Sequence, residues 1–81
     1  MEKLDQFKKN ISELLRTHRK KSGLSQLGLA KLAGVGKTVI FDLEHGKITV
    51  QVDTLLRVLS ALNIEIKFSS RLLQAMEEKR G

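Results

Sequence analysis

The chain of 81 residues contains no cysteine, no proline, no tryptophan and no tyrosine, and its aromatic residues are three phenylalanines. Without cysteine, neither a disulfide framework nor a cysteine-based zinc site can form. The sequence also lacks an apolar run of roughly 20 residues, so we expect no membrane-spanning helix, no secretory signal and, by default, a cytoplasmic protein. No proline-rich or low-complexity linker divides the sequence, which predicts a single domain over residues 1–81 with a small core.

The residue types needed for catalysis or metal binding are sparse. His18 and His45 fall in different predicted elements and no HExxH spacing occurs, so neither a nucleophilic triad nor a metal site is expected. The residues 34–38, GVGKT, match the end of a phosphate-binding P-loop, but Lys31 stands where the complete motif needs a glycine, and the motif should follow a strand. We therefore predict no enzyme activity and no cofactor.

Basic residues outnumber acidic ones, and the formal net charge is +6. The excess is concentrated near the amino terminus, where residues 1–23 contain seven basic and three acidic side chains. A basic surplus fits a polyanionic partner such as nucleic acid, and a solvated helix face explains it equally well. Charge alone leaves both interpretations open.

Three segments have the apolar spacing of amphipathic helices. They predict a first helix over residues 4 to about 21 closed by Gly23, a fourth helix that begins near Val52 and stops at a left-handed Asn63, and a last helix over residues 69–80. The residues expected to face the core are Leu4, Phe7, Ile11, Leu14 and Leu15, then Val52, Leu55, Leu56, Leu59 and Leu62, and finally Leu72, Leu73 and Met76. The outer face of the first helix would carry Lys8, Lys9, Arg16, Arg19 and Lys20.

Between these helices, residues 24–47 read LSQLGLAKLAGVGKTVIFDLEHGK and predict two short helices joined by a tight turn. Ser25 can cap the first of them with its side-chain oxygen, and Gly34 can end it with a positive φ. In the second, Ile40 and Leu43 are spaced to face the core. The outward face would then carry Lys37, Thr38, Phe41 and Asp42.

This segment resembles the helix-turn-helix of the Cro/C1 (XRE) group of repressors. The matching residues are Leu24, Ser25, Gln26, Leu29, Ala30, Ala33, Gly34, Val35, Ile40, Leu43, Glu44, Gly46 and Lys47. The resemblance implies an all-α, lambda-repressor-like domain of five helices that represses transcription. Within the group the chain is most similar to the HipB-type antitoxins, because a strand-like segment follows the fourth helix. That similarity implies an autoregulating antitoxin with a HipA-like kinase toxin as partner, and the alternatives are a stand-alone phage or mobile-element repressor and a chiefly toxin-inhibiting protein.

The resemblance also implies which side chains contact double-stranded operator DNA. Lys37, Thr38, Phe41 and Asp42 fall at base-contacting positions, and Gln26 falls at a phosphate-contacting position. Lysine and threonine can hydrogen-bond base edges, and a phenyl ring can pack on a thymine methyl. Asp42 either accepts from a cytosine amine or only orients Lys37 or a loop amide. The further predicted phosphate contacts are Gly36, His45 and Lys47.

Four residues depart from the family pattern. Gly28 stands where a glutamate commonly completes the capping box, and this lowers helix stability by up to about 1 kcal/mol. Gly36 replaces a serine or threonine at the entrance of the recognition helix. Leu27 and Leu32 replace polar residues, and they either pack against the first or fifth helix or form an apolar patch for a protein partner.

Residues 64–68 alternate between apolar and polar, which is the period of a β-strand. The apolar face is formed by Ile64, Ile66 and Phe68, and the polar face by Glu65 and Lys67. Nothing else in the sequence reads as a strand, so we predict antiparallel pairing with the same segment of a second copy. Centred on Ile66, this register places Glu65 opposite the other copy's Lys67. The expected molecule is a homodimer that reads two half-sites about one DNA turn apart.

Overall fold

A computed structural model describes residues 2–80, apart from the side chains at positions 73, 79 and 80. The described part contains five helices: α1 (Glu2–Lys21), α2 (Gln26–Ala33), α3 (Lys37–Glu44), α4 (Val52–Ala61) and α5 (Arg71–Arg80). The predicted all-α architecture of five helices is confirmed. The expected inward position of Leu73 concerns a side chain outside the described part. Over residues 2–80, no helix is both long enough and apolar enough to cross a membrane.

The first four helices end in the same hydrogen-bond pattern, the Schellman motif. After α2, the N–H of Gly34 donates to the carbonyl of Lys31 at 3.3 Å, and the N–H of Val35 donates to that of Ala30 at 2.9 Å. Gly34 has φ 73°, a conformation in which a Cβ would be strained. Asn63, with φ 59°, ends α4 in the same way because a short polar side chain tolerates this region. The predicted stops at Gly34 and Asn63 are confirmed.

Helices α1 to α4 enclose one small core. α2 packs against both α3 and α4, and α1 packs against α3. The buried apolar residues recur at the spacing of one helix face: Ile11 and Leu15, Leu29 and Ala30, Ile40 and Leu43, and Leu55, Val58, Leu59 and Leu62. The Ser12 hydroxyl, buried in this interface, donates to the carbonyl of Leu43 at 2.8 Å and ties α1 to α3. The two helices of the helix-turn-helix are therefore held from behind by the other two.

Several apolar residues expected in the core are exposed. They are Leu4, Phe7 and Leu14 in α1, Val52 and Leu56 in α4, and Leu72 and Met76 in α5. The buried positions of α1 begin only at Ile11, so the first two turns extend beyond the core. Periodicity identifies the apolar side of a helix, but the length of the neighbouring helix decides how much of that side is covered. For these residues the predicted burial is wrong.

Leu27 and Leu32 are also exposed, at 48% and 62% of their surface. Neither leucine is therefore buried against the first or fifth helix. Leu32 instead lines a surface depression with Ala33 and Leu56, between α2 and α4. The remaining interpretation is that Leu27 and Leu32 form an apolar patch on the surface.

Residues 64–68 form no strand within the described chain. The N–H of Ile64 donates to the carbonyl of Leu59 at 2.9 Å, so this residue belongs to the cap of α4. The four residues after it are exposed, and Phe68 retains 82% of its accessible surface. A strand needs a second backbone beside it, and along residues 2–80 no other extended segment supplies one. The predicted strand is therefore absent from the single chain.

Candidate nucleic-acid interface

The amino end of α3 is open to an approaching ligand. Gly36 occupies the N-cap position with φ −76° and ψ 152°, and it has no side chain to cap the helix. A Cβ built at Gly36 would meet no atom within 4 Å. Because the first N–H groups of a helix have no intrahelical acceptor and carry partial positive charge, this end suits a phosphate oxygen.

The face of α3 that points away from the core carries three exposed side chains of different chemistry. Lys37, Thr38 and Phe41 line one shallow depression. Phe41 is 49% exposed, while Ile40 and Leu43 on the opposite face are fully buried. Asp42, the fourth predicted base contact, is partly exposed beside them. The structure thus places on one helix face a cation, a hydroxyl, an aromatic ring and a carboxylate.

The ring of Phe41 is fixed by His45. The two rings stack with their centroids 4.0 Å apart and their planes 24° from parallel. The Nδ1 atom of His45 also lies 2.7 Å from the carbonyl oxygen of Phe41. Since a carbonyl oxygen can only accept a hydrogen bond, Nδ1 carries the proton. His45, which sequence reasoning assigned only to phosphate, therefore also positions a predicted base contact.

The turn after α3 is ordered by backbone hydrogen bonds. The N–H of Lys47 donates to the carbonyl of Asp42 at 2.9 Å, and the N–H of His45 donates to the same oxygen at 3.1 Å. The loop amides thus bond the backbone of Asp42, so its carboxylate is not needed to orient them. The side chains of His45 and Lys47 are both exposed on this turn.

A buried ion pair joins α1 to α3. Arg19 donates from Nε to Oε2 of Glu44 at 2.6 Å and from Nη2 to Oε1 at 2.9 Å. Its remaining nitrogen, Nη1, donates to the carbonyl of Leu24 at 2.9 Å. Gln26 adds a longer hydrogen bond from Nε2 to Oε1 of Glu44, at 3.4 Å. One carboxylate therefore connects α1, the amino end of α2 and the carboxyl end of α3.

The electrostatics of Glu44 follow from these contacts. Glu44 is 4% exposed, and burial alone would raise the pKa of its carboxyl group. The hydrogen bonds from Arg19 and Gln26, together with the charge of Arg19, outweigh the burial and lower that pKa. The hydrogen bond to Glu44 correspondingly raises the pKa of Arg19. Both groups are therefore held in their charged forms.

Sequence reasoning missed this pair and placed Arg19 on the outer face of its helix, which is wrong. The Arg19 side chain is only 12% exposed. The sequence does contain a signal for this ion pair. Arg19 follows Leu15 by four residues and Glu44 follows Ile40 by four, so both charged side chains lie on core-facing stripes of their helices. Opposite charges on two such stripes indicate a partnered pair. Gln26, the predicted phosphate contact, is partly buried and fixed by this network.

The basic side of α1 lies next to the turn after α3. Lys8, Lys9 and Arg16 line a surface depression together with His45 and Gly46. The acidic side chains of Asp5 and Glu13 line it as well, so the local charge is mixed. The amino-terminal surplus of charge is thus adjacent to one predicted phosphate contact, His45.

The GVGKT sequence does not form a P-loop. Gly34 ends α2, Gly36 occupies the N-cap position of α3, and Lys37 is the first residue of α3, so the segment joins two helices and follows no strand. Within residues 2–80, no group of three or more histidine or acidic side chains is arranged to hold a metal ion.

Comparison with known proteins identifies relatives of this helix-turn-helix. Residues 15–68 match the family model HTH_3: Helix-turn-helix. An uncharacterized HTH-type transcriptional regulator of Sinorhizobium fredii is 46% identical over 57 residues, which cover 70% of this chain and 75% of that protein. The ImmF control region 10 kDa protein of Bacillus phage phi105 is 29% identical over 58 residues, which cover 72% of this chain and 64% of the phage protein.

A solved structure is also similar. The crystal structure of an HTH_3 family transcriptional regulator from Vibrio cholerae matches with a TM-score of 0.68 and 32% sequence identity. The match covers 76% of this chain and 35% of that protein, so most of the Vibrio cholerae protein lies outside it.

Proposed function

The chain belongs to the HTH_3 family of helix-turn-helix transcriptional regulators, and we propose that it is a homodimeric, sequence-specific repressor. The observation that carries this proposal is the face of α3, where Lys37, Thr38 and Phe41 are exposed opposite the buried Ile40 and Leu43. A helix of this kind fits the major groove of B-form DNA, and the side chains of its first turns reach the base edges. Occupancy of an operator would then block transcription in the cytoplasm.

Each exposed side chain has a distinct proposed role. Lys37 donates to guanine O6 and N7, Thr38 offers a hydroxyl and a methyl group, and Phe41 packs on a thymine methyl. The stack on His45 restricts the Phe41 ring and lowers the entropy cost of that contact. Asp42 accepts from a cytosine amine. The phosphate contacts are Gln26, Gly36, His45 and Lys47, through side chains and the amides at the starts of α2 and α3.

Two copies pair through residues 64–68 in the proposed dimer. The exposure of Ile66 and Phe68 supports this, because pairing would cover both side chains. In the register centred on Ile66, Lys67→Glu sets two glutamates against each other, so we expect sedimentation to show a shift toward monomer. The double variant Glu65→Lys with Lys67→Glu restores opposite charges and should restore the dimer. An unchanged dimer in the single variant would refute this register.

A second proposed role is that of the antitoxin to a HipA-like kinase. The similarity to HipB-type antitoxins suggests it, and the exposed Leu27 and Leu32 provide an apolar surface for a protein partner. The test is co-expression with the neighbouring reading frame, followed by co-purification and a kinase assay. Phage genes as neighbours would instead favour a stand-alone repressor, in keeping with the similarity to the phage phi105 protein.

The repressor proposal is tested by a gel shift of the purified protein against the DNA upstream of its own gene. A scrambled duplex of the same length and composition serves as competitor at fixed salt concentration, because phosphate contacts alone bind any sequence. We expect the upstream duplex to bind much more tightly than the scrambled one. Equal affinity for the two would reject sequence-specific repression.

A further inference from the structure

The two histidines of the chain are held by the same local hydrogen bond. The Nδ1 atom of His45 lies 2.7 Å from the carbonyl oxygen of Phe41, and that of His18 lies 2.8 Å from the carbonyl oxygen of Leu14. Because a carbonyl oxygen can only accept a hydrogen bond, Nδ1 carries a proton in both rings. In a neutral imidazole of this tautomer, the second ring nitrogen, Nε2, has a lone pair and no hydrogen.

A neutral His45 with this tautomer is unsuited to a phosphate contact. Phosphate oxygens are negatively charged acceptors, so they need a donor, and the lone pair of Nε2 would repel them. The hydrogen on Nδ1 is already donated to Phe41. A second proton on Nε2 turns the ring into an imidazolium, which has a free N–H and a positive charge. The phosphate contact of His45 therefore requires this second proton.

The stack of His45 on Phe41 is compatible with the charged ring and favours it. The ring centroids are 4.0 Å apart. A cation within about 6 Å of the centre of an aromatic ring is attracted by the negative face of that ring. The stack and the Nδ1 hydrogen bond together restrict the imidazole before DNA arrives, which lowers the entropy cost of the contact. The His45 side chain is also exposed, so solvent can supply the proton.

The charged groups around His45 come from α1, from α3 and from the turn itself. The α1 side chains that line the same depression as His45 include both signs; they are Asp5, Lys8, Lys9, Glu13 and Arg16. On α3, Glu44 also lines it and is paired with Arg19, and Asp42 lies one helical turn before His45. Lys47 is exposed on the turn. Within these mixed surroundings, a bound phosphate would add negative charge beside the ring and favour the imidazolium in the complex.

We propose that DNA binding by this chain takes up a proton at Nε2 of His45, so that the affinity for DNA rises as the pH falls. This inference rests on the proposed function, because the phosphate contact of His45 is part of it. Since the bound state would hold one more proton than the free state, a higher proton concentration favours the complex. The effect is expected between about pH 5 and 8, the range in which imidazole side chains change charge.

His18 provides a matched control within the same chain. It has the same tautomer and the same kind of hydrogen bond as His45. Its side chain, however, lines a different depression, formed by α1 residues such as Asn10 and Thr17, and it is none of the proposed DNA contacts. Proton uptake that is specific to the phosphate contact should therefore depend on His45 and not on His18.

The test measures the dissociation constants of the full chain for the upstream duplex and for the scrambled duplex, at about pH 6 and about pH 8 and over a series of salt concentrations. At low salt we expect about threefold tighter binding per copy at the lower pH, or about tenfold for the proposed dimer. Both duplexes should show the change, because phosphate contacts do not depend on sequence. The salt slope should be steeper at the lower pH by about one unit per copy, since each imidazolium neutralises one more phosphate.

Two variants assign the proton to one ring. His45→Gln has a side chain that cannot gain a charge, so its affinity and its salt slope should be the same at both pH values. His18→Gln should keep the full pH dependence of the unmodified protein. The helical circular dichroism of both variants should match that of the unmodified protein at both pH values, because each replacement keeps a polar side chain outside the apolar core.

Equal affinity of the unmodified protein at the two pH values would overturn this inference and leave the proposed function in place. A water molecule that bridges Nε2 to a phosphate would give that result. A pH dependence that persists in His45→Gln, or that is lost in His18→Gln, would also overturn the inference, because another group would then take up the proton. Absence of binding to either duplex at both pH values would overturn the inference and the proposed function together.

Discussion

Removal of the Glu44 carboxylate is expected to be among the most destabilising single changes in this chain. Glu44→Ala would leave the guanidinium of Arg19, whose side chain is 12% exposed, without its acid. Breaking one partner of a buried ion pair costs about 3–5 kcal/mol. Arg19 keeps its hydrogen bond to the carbonyl of Leu24, so we expect the lower end of this range, about 3 kcal/mol. A chain of this size has a total stability of about 4–12 kcal/mol, so the variant would be close to unfolding.

The matched control replaces both members of the pair. Arg19→Met with Glu44→Leu exchanges the two charges for apolar side chains of broadly similar volume, a change that is often neutral or stabilising. We therefore expect the double variant to be more stable than Glu44→Ala alone. Urea unfolding followed by far-UV circular dichroism, at one fixed protein concentration, measures all the variants. A cost below about 1 kcal/mol for Glu44→Ala, or a double variant no more stable than the single one, would refute the assigned role of the pair.

Three further predictions concern acid stability, the turn and the DNA contacts. The pKa of Glu44 is lower in the folded state, so the stabilisation it provides is present above the unfolded-state pKa and is lost as the pH falls through the folded-state pKa. Urea midpoints should therefore drop on acidification more steeply for the unmodified protein than for the Arg19→Met with Glu44→Leu variant, and equal slopes would contradict this. Gly34→Ala places a Cβ on a residue with φ 73° and should lower the free energy of unfolding by about 1–2 kcal/mol in the same assay. Gly36→Ala should lower it much less, because Gly36 has φ −76° and open space around the added Cβ. Comparable losses of stability in the two variants would contradict the turn geometry. Lys47→Ala should weaken binding to all DNA sequences and lower the salt slope by about one unit, and an unchanged slope would remove Lys47 from the phosphate contacts.

The helices and their ends could be predicted because the signals for them are local. Ser25 caps α2 by accepting from the N–H of Gly28 at 2.9 Å, as expected from its position before the apolar spacing. Gly34 and Asn63 end their helices where left-handed residues were expected. Each of these features depends on a few neighbouring residues, so the local sequence is enough to predict where a helix begins and ends.

Burial was predicted less well because it depends on distant parts of the chain. Phe7 and Ile11 belong to one stripe, yet only Ile11 reaches the core, since the packing of α1 onto α3 begins at its third turn. The Arg19 to Glu44 pair joins residues 25 positions apart: the apolar stripes mark each charge as core-facing, and the packing of α1 on α3 makes the two partners.

The candidate interface also combines features that the local sequence predicts with features that it does not. The exposure of Lys37 and Thr38 follows from the inward spacing of Ile40 and Leu43 within one short helix, and it was predicted correctly. The stack of Phe41 on His45 also lies within a few residues, but it depends on how the chain leaves α3, which the helical pattern does not specify. Whether residues 64–68 pair between copies depends on a second molecule and stays a prediction.

The central claim, that the outer face of α3 reads DNA bases, is tested most directly by selecting binding sites from a pool of random duplexes. The unmodified protein, Lys37→Ala and Lys47→Ala are compared at one salt concentration. We expect the unmodified protein to select two half-sites about one DNA turn apart, and Lys37→Ala to lose the preference at one base step in each half-site. Lys47→Ala should keep the same preference at lower affinity. If Lys37→Ala selected the same sequence as the unmodified protein, with every base preference intact, the claim would be contradicted.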